Sequence, residues 1–450
     1  MNRNDDGKKI SVAAAAGRLY QRLTWTWNPG SDKEAGDAIV KNLLLHWFPN
    51  KVSKRSLAWN YSFFLGTIAF AMFMILVVTG VVLMFLYVPS VERAYGSVKD
   101  LEYVVTFGWL LRGMHRMSAH LMVAVVFLHM VRVFLTGAYK NGSAVGAHRP
   151  LNWIIGIALL IVTLLLSFTG YLLPWDQLAY WAITVGTNIA SAAPFVGKSI
   201  RFILLGGNEI GQNALIRFYV LHVFFLPMIV FGLFAWHMWR VRKDGGLAVV
   251  DHEVLAQQAA PTPAVPSKTY SLLGITRGTT VHVHTTMVDE EIGSVPSSPN
   301  LTRRVWLVSL GTFIVTVLLT IVARAPLETP ANPAVTPNPA KAPWYFLWLQ
   351  EIVTDTTLKL GAFTVNGALI GGILLPGVLI LLALWWPYRD RSGPETVGVW
   401  FPRERRRQNA VFLVICLFII IFTVIGTFLR GPYWNFYWPW EAWPDMPVKF

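Results

Sequence analysis

Cysteine is almost missing from this chain: its 450 residues contain one, Cys416. A single thiol makes no intrachain disulfide, no cysteine-ligated cluster or zinc site, and no Cys-x-x-Cys-His haem attachment. Charge is scarce too, at 14% of residues, and the 24 acidic residues are outnumbered by 38 Lys and Arg. Soluble domains carry about 25% charged residues, so a surface that faces water all round is excluded. The N-terminus, MNRNDDGKKI, is polar and lacks the apolar core of a cleavable signal. What the chain has in quantity is apolar: 54% hydrophobic residues, 20 Trp and 27 Phe, with a mean hydropathy of +0.48. That balance belongs to a polytopic membrane protein. The net charge of +14 would suit a nucleic-acid partner, but the Lys and Arg sit in short loops between apolar runs, not on a polar domain face. They report topology and anionic lipid, and no nucleic acid is expected.

Seven runs approach the roughly 20 residues needed to cross a bilayer. They cover about 62–88, 115–137, 152–173, 217–239, 304–323, 365–386 and 409–429. Basic residues gather before the first (Lys51, Lys54, Arg55), after the second (Lys140, Arg149), and around the fourth-to-fifth connection (Arg240, Arg242, Lys243, Arg303, Arg304). They gather again between the sixth and seventh, at Arg389, Arg391, Arg403, Arg405, Arg406 and Arg407. All fall on one side if the N-terminus is cytoplasmic, and an odd helix count then puts the C-terminus outside. The expected fold is an all-α integral membrane protein with seven transmembrane helices. Residues 1–54 read as a cytoplasmic N-terminal segment, 55–243 as a four-helix domain, 301–430 as a three-helix half and 431–450 as an aromatic tail. Residues 244–300, with AAPTPAVPSK and VHVHTTMVDEE, read as a cytoplasmic linker. His282 and His284 there suit an exposed alternating strand better than a metal site. On the outer face RAPLETPANPAVTPNPAKAPWYF is too polar and Pro-rich to span. The closing GPYWNFYWPWEAWP suits an interfacial anchor or a docking strip for a neighbouring subunit.

The second run, in GWLLRGMHRMSAHLMVAVVFLHMVRVFL, carries three histidines and three arginines. His115 and His129 are fourteen residues apart, close to four turns, so they share a helix face about 21 Å apart. In the fourth run His222 and His237 are fifteen apart, about 22 Å along the axis. If the two helices pack side by side in the same direction, His115 faces His222 and His129 faces His237. Each pair can hold one haem iron from both sides. With both axial positions filled, electron transfer is the natural role, one haem near each membrane face. His120 is left over and reads as an interior histidine. Ionisable groups inside a membrane point to function by default. The first run has Gly66 and Gly80 and the third has Gly156 and Gly170, again fourteen apart in each, as slots for two flat macrocycles. Arg112 or Arg116 beside the outer histidine, with Arg132 and Lys140 beyond the inner one, are placed to pair with haem propionates.

Three stretches carry a resemblance: GWLLRGMHRMSAH, FTGYLLPWDQLAYWA and LIRFYVLHVFFLP. Together with APWYFLW they resemble cytochrome b of the bc-type quinol-oxidising complexes, in particular cytochrome b6 joined to its subunit IV, over roughly residues 55–430. The fifteen-residue spacing and PWDQ are similar to the chloroplast-type branch, and the fused chain to the mitochondrial and proteobacterial one. The resemblance implies His115 and His222 on a low-potential outer haem and His129 and His237 on a high-potential inner haem. It implies an outer quinol site between the third-helix exit (Trp175, Asp176), the stretch around Ala179–Ala190, and Trp344 and Tyr345. It further implies electron bifurcation to a Rieske iron–sulfur protein, a c-type cytochrome subunit, transmembrane proton translocation, a homodimeric complex and a bacterial cytoplasmic membrane. Two departures stand out. Where the family has Pro-Glu-Trp-Tyr, this chain has Ala342, Pro343, Trp344 and Tyr345, without the glutamate that takes a quinol proton. Phe64 stands where the chloroplast-type branch has a haem-bearing cysteine, so no covalent third haem is expected. Glu351, seven residues past Trp344 and half-buried if the stretch is helical, is the expected replacement acceptor, with Asp176 competing. A two-haem membrane anchor of a quinone-linked dehydrogenase or reductase predicts the same histidine ladder but not APWYFLWLQE or the three-helix half. A proton-relaying transporter leaves the glycines without a purpose.

Overall fold

The computed structural model describes Ser31 and residues 49–142, 147–249, 294–361 and 363–444. His282, His284 and most of the expected linker lie outside the described residues. Within them seven helices are long and apolar enough to cross a membrane: α1 (Leu65–Leu86), α3 (Gly108–Leu135), α4 (Arg149–Leu172), α7 (Gln212–Lys243), α8 (Ser297–Val322), α10 (Gly367–Arg389) and α11 (Arg403–Leu429). Long apolar runs become helices because lipid offers no partner for backbone N–H and C=O, which the helix satisfies internally. Shorter helices α2 (Ala94–Tyr103), α5 (Gln177–Ser191), α6 (Gly197–Leu205) and α9 (Trp344–Asp355) fill the connections. The chain is thus an all-α integral membrane protein, and its sheet content among the described residues is limited to two-stranded pairs.

Three spans are wider than a regular α-helix at one turn, α11 at Ile425–Leu429 and two others next to a proline. In α7 the π turn Leu221–Phe225 is followed by Pro227, and in α10 the π turn Ile370–Leu374 is followed by Pro376. A proline inside a helix has no N–H to give and clashes with the carbonyl four residues back. A wider turn with one extra residue relieves both problems.

Helix α1 packs along α3, and α4 along α7, with α8 laid against α1 and α3. Phe70 of α1 stacks on Phe234 of α7, with centroids 4.9 Å apart. Helix α8 approaches closely because its buried stripe is Thr312, Thr316 and Thr320. The hydroxyls of Thr316 and Thr320 are satisfied within the helix, on the carbonyls of Thr312 and Thr316. Gly113 of α3 lies against Thr320 so tightly that a Cβ there would come within 2.5 Å of Thr320 Cγ2. Small residues at such contacts are how helices associate where no hydrophobic drive exists.

The second half is tied to the first at both ends. On the side of the N-terminus, β1 (Lys51–Ser53) pairs antiparallel with β2 (Ser294–Pro296), so the last residues of the expected linker are ordered. Arg405, fully buried at the start of α11, donates to the carbonyls of Phe134 and Leu135 at the end of α3, to the Tyr139 hydroxyl and to Asp390. It satisfies orphan carbonyls that end every helix. Phe134 stacks on Phe412 at 3.9 Å. At the opposite end the Pro-rich segment covers α5. Gln177 N and Ala331 N donate to Thr329 O and Trp175 O, and Trp181 Nε1 donates to Val335 O.

Candidate functional site

The four histidines of the ladder meet in two pairs. His115 and His222 have ring centroids 6.2 Å apart and His129 and His237 6.4 Å, with the rings nearly perpendicular at 74° and 79°. Metal–imidazole bonds of about 2.0 Å put two opposed ligand nitrogens about 4 Å apart. Adding the distance from nitrogen to ring centre on both sides gives roughly 6.3 Å. Both pairs stand at that separation, so each fits one metal ion held from two sides.

The extra residue between His222 and His237 is taken up by the π turn at Leu221–Phe225. Fifteen residues on α7 therefore match fourteen on α3, and both pairs stay level. The signal was in the sequence as Pro227, five residues after His222, but proline alone does not specify a wide turn.

Hydrogen bonds decide which nitrogen of the His115–His222 pair is free. Thr79 donates its only hydroxyl proton to Ile75 O at 2.6 Å, so its oxygen accepts from His115 Nδ1, 2.9 Å away. Thr169 does the same with Leu165 O at 2.9 Å and His222 Nδ1 at 3.3 Å, and Leu166 O also accepts from that nitrogen at 3.1 Å. Both imidazoles carry the proton on Nδ1, which leaves the Nε2 lone pairs for a metal. Both threonines precede a glycine, in Thr79-Gly80 and Thr169-Gly170, so the sequence carries the signal as a repeated dipeptide.

The glycines serve the histidine rings directly. A Cβ at Gly80 would meet His115 Cε1 at 3.2 Å, at Gly66 His129 Cε1 at 3.5 Å, at Gly156 His237 Cε1 at 3.8 Å and at Gly170 His222 Cε1 at 2.4 Å. What comes against each glycine is an imidazole edge from the neighbouring helix.

Two of the expected propionate partners are already engaged. Arg112 is ion-paired with Glu102 at 2.9 Å and donates to Ala325 O and Pro326 O, fastening α3 to the segment after α8. Lys140 is bound to Asp390 at 3.4 Å and to Ser392. A cation near a span end finds whichever acceptor folding brings, and here that is a carboxylate or carbonyl. Arg132 differs: its guanidinium covers the Tyr61 ring at 4.3 Å, Nε donates to Tyr61 O, and the buried Nη2 has no partner. An orphaned buried guanidinium nitrogen, one turn beyond His129, suits an anionic group bound there.

A cavity of about 210 Å³ opens between α4, α5 and the start of α9. Phe168, Tyr171, Trp181, Lys341, Pro343 and Phe346 are among its walls. Burial lowers the pKa of Lys341, which Glu351 partly offsets, and its ammonium donates to Thr427 O at 2.7 Å. Tyr345 is buried against Phe346, and burial raises its phenol pKa, so it stays protonated. Trp175 does not line the cavity; it is packed in the core with Leu172, Ala179 and Ile183, at a positive φ of 52°. Asp176 caps α5 through Ala179 N at 2.9 Å and accepts from Glu328 N. Glu351 is fully buried, not half-buried: Arg430 Nε donates to both its oxygens at 2.8 and 3.0 Å, Arg430 Nη2 at 2.5 Å, and Trp434 Nε1 at 3.1 Å. Its carboxylate is held by the C-terminal segment, a pairing 79 residues away in sequence that α-helical spacing could not show.

A family model described as Cytochrome b/b6/petB matches residues 51–245. Cytochrome b6 of Porphyra purpurea is 42% identical over 186 residues, covering 41% of this chain and 84% of that protein. Cytochrome b6 of Acaryochloris marina is 40% identical over the same shares of each. A chain of a hyperthermophilic respiratory Complex III superimposes with a TM-score of 0.64 at 24% identity, covering 93% of this chain and 91% of that one. The first two resemble the four-helix half alone; the third shares the fold across both halves.

Proposed function

The chain belongs to the cytochrome b/b6 family, a family of b-type haem proteins, and on that premise we propose that it is the membrane core of a bc-type quinol-oxidising complex with two b haems. The observation that carries this is the pair of opposed imidazoles at 6.2 and 6.4 Å. His115 with His222 holds the outer haem and His129 with His237 the inner one; Gly80, Gly170, Gly66 and Gly156 make room for their rings. Bound there, the haems supply reversible one-electron transfer between the two membrane faces. Thr79 and Thr169 fix the outer imidazoles by taking their Nδ1 protons in hydrogen bonds, and Arg132 Nη2 offers a charge-assisted bond to a propionate at the inner site.

The cavity beside α9 is the outer quinol site in this reading. Its aromatic walls suit a quinol ring in a water-poor setting, and Pro343 and Phe346, on either side of Trp344 and Tyr345 at the start of α9, line it. Quinol bound there would give one electron to a Rieske iron–sulfur protein, and so to a c-type cytochrome, and the other to the haems that the two histidine pairs would hold, and so to quinone at the inner face. Proton release outside and uptake inside make the transfer energy-conserving. This chain has one cysteine, so both other centres belong to separate subunits. The basic loops support a cytoplasmic N-terminus and a C-terminus on the outer side; in this reading the membrane is a bacterial inner membrane and the complex a homodimer.

The test is a redox titration of the purified complex. Two b-type α-band components at separate potentials, both reduced by quinol when the iron–sulfur acceptor is oxidised, are expected. Haem-free protein would end the reading, and quinol reduction that ignores the acceptor's redox state would favour a two-haem membrane anchor.

A further inference from the structure

The histidine pairs leave one imidazole of α3 over. His120 stands five residues past His115, about 7.5 Å further into the bilayer. Its Nδ1 accepts a hydrogen bond from Trp344 Nε1 at 3.2 Å, and its ring lies 5.7 Å from that of Tyr345. An indole N–H only donates, so Nδ1 is the unprotonated nitrogen and the imidazole is neutral. One turn back on the same face, Arg116 stands 6.0 Å from the Tyr171 ring, and Tyr171 lines the cavity. Arg116 therefore stands behind the Tyr171 wall, and His120 stands against Trp344 and Tyr345, which lie in sequence between the wall residues Pro343 and Phe346.

That wall holds no carboxylate and no histidine; Lys341 is its charged group. Of the carboxylates nearby, Asp176 is committed to the N-terminus of α5 and Glu351 to Arg430 and Trp434, while Glu328, which also acts on Tyr171, is exposed at the surface. His120 is a base that is neither a haem ligand nor locked in an ion pair, and the bond at its Nδ1 comes from a side chain that can leave. Trp344 is 40% exposed, so its indole swings without being drawn from a core.

We propose that His120 accepts a proton from quinol bound in this cavity, with the Trp344 N–H holding the accepting lone pair until the quinol hydroxyl takes its place. The inference rests on the quinol-site reading above. Oxidation of one quinol breaks two O–H bonds and removes two electrons, one to the iron–sulfur acceptor and one to the haem pair. One proton leaves with the first electron; the second forms the new N–H bond at His120 Nδ1. Protonated imidazole donates from both nitrogens, so it cannot take back the Trp344 bond until the proton has passed outward. The groups around His120 are Arg116 on its own helix, Trp344 and Tyr345 from α9, and Tyr171 from α4. Residues 72–79 of α1 and 312–320 of α8 contribute nothing ionisable.

The test uses the intact complex with duroquinol as donor. His120→Asn keeps an acceptor for Trp344 but has no basic nitrogen; His120→Phe removes both. Both haem spectra should persist, while His120→Asn lowers the duroquinol rate on the order of 100-fold, the low end for a positioned proton acceptor. The variant should also lose one ionisation from the kcat–pH profile. A second readout needs no turnover: binding of an acidic 2-alkyl-3-hydroxy-1,4-naphthoquinone should produce an imidazolium infrared band in the parent and none in His120→Asn. The inference is overturned if His120→Asn keeps the parental rate and pH profile with only His120→Phe impaired, which is the mark of a packing role. It is equally overturned if the naphthoquinone binds without the band. If the naphthoquinone does not bind the parent, and Tyr171→Ala and Trp181→Ala leave duroquinol oxidation unchanged, the quinol site itself is misplaced and the inference falls with it.

Discussion

Replacing Gly170 by Ala should remove the outer haem and spare the inner one. An added Cβ would lie 2.4 Å from His222 Cε1 and 3.0 Å from both ring nitrogens, where ordinary contact begins at 3.4 Å. The ring must retreat by about 1 Å, while metal–ligand distances tolerate about 0.2 Å. It has nowhere to go: Leu166 O and Thr169 Oγ1 hold its Nδ1, and His115 stands opposite at 6.2 Å. The helix itself does not suffer. Gly to Ala in a helix interior favours the helix by about 0.5–1 kcal/mol, against about 1–3 kcal/mol for overpacking, so the protein should still insert and fold. The matched change at Gly156 brings the Cβ to 3.8 Å from His237 Cε1, an ordinary contact, and should leave both haems in place. A pyridine haemochrome ratio of one haem per chain for Gly170→Ala and two for Gly156→Ala, with the remaining α-band at the inner haem's potential, is the expected result. Two intact haems in Gly170→Ala would show that the imidazole at 222 does not lie where the ligation requires it.

Deleting Phe224 should remove the π turn after His222 and shorten the spacing to that of α3, leaving both haems bound; loss of one would refute the account of the extra residue. Asp390→Asn should cost about 3–5 kcal/mol by stranding Arg405, a buried pair broken on one side, measured by thermal denaturation in detergent. Burial raises the pKa of Asp390, but hydrogen bonds from Ser392 and Tyr139 and the Lys140 charge outweigh it and hold the group below the ordinary carboxylate range. A lowered folded-state pKa means stability that is present above about pH 4 and lost as pH falls below it, and Asp390→Asn should flatten that acid limb. Glu351→Gln should loosen the C-terminal segment, seen as faster proteolysis after Arg430, while the pH profile of quinol oxidation stays parental; a shifted profile would restore Glu351 to the proton route.

The seven spans were readable because apolar run length is a one-dimensional property and lipid leaves the backbone no other choice. The histidine ladder was readable because a repeat of fourteen returns to one helix face. Helix ends were less so: α7 starts at Gln212 and α8 at Ser297, several residues before the apolar runs, because polar turns at an interface continue a helix without a hydropathy signal. Partners of buried cations were not readable at all. Arg112 could be seen inside an apolar segment, but Glu102, Ala325 and Pro326 are brought to it by packing of α2 and of the strand of chain after α8. Lys140 meets Asp390 from 250 residues away. The role of Thr79 and Thr169 needed the knowledge of which histidine stands across from each.

The fastening of the two halves has a consequence for how such a chain can be encoded. The β1–β2 pairing, the Arg112 bonds to Ala325 and Pro326, and the grip of Arg405 on the end of α3 all lie outside residues 250–293. The peptide join across those residues contributes local concentration, and the entropy of joining two ends changes slowly with the length between them, about 0.6 kcal/mol for each doubling. A gene could lengthen it, shorten it or break it into two reading frames, and the membrane would still receive halves that recognise one another.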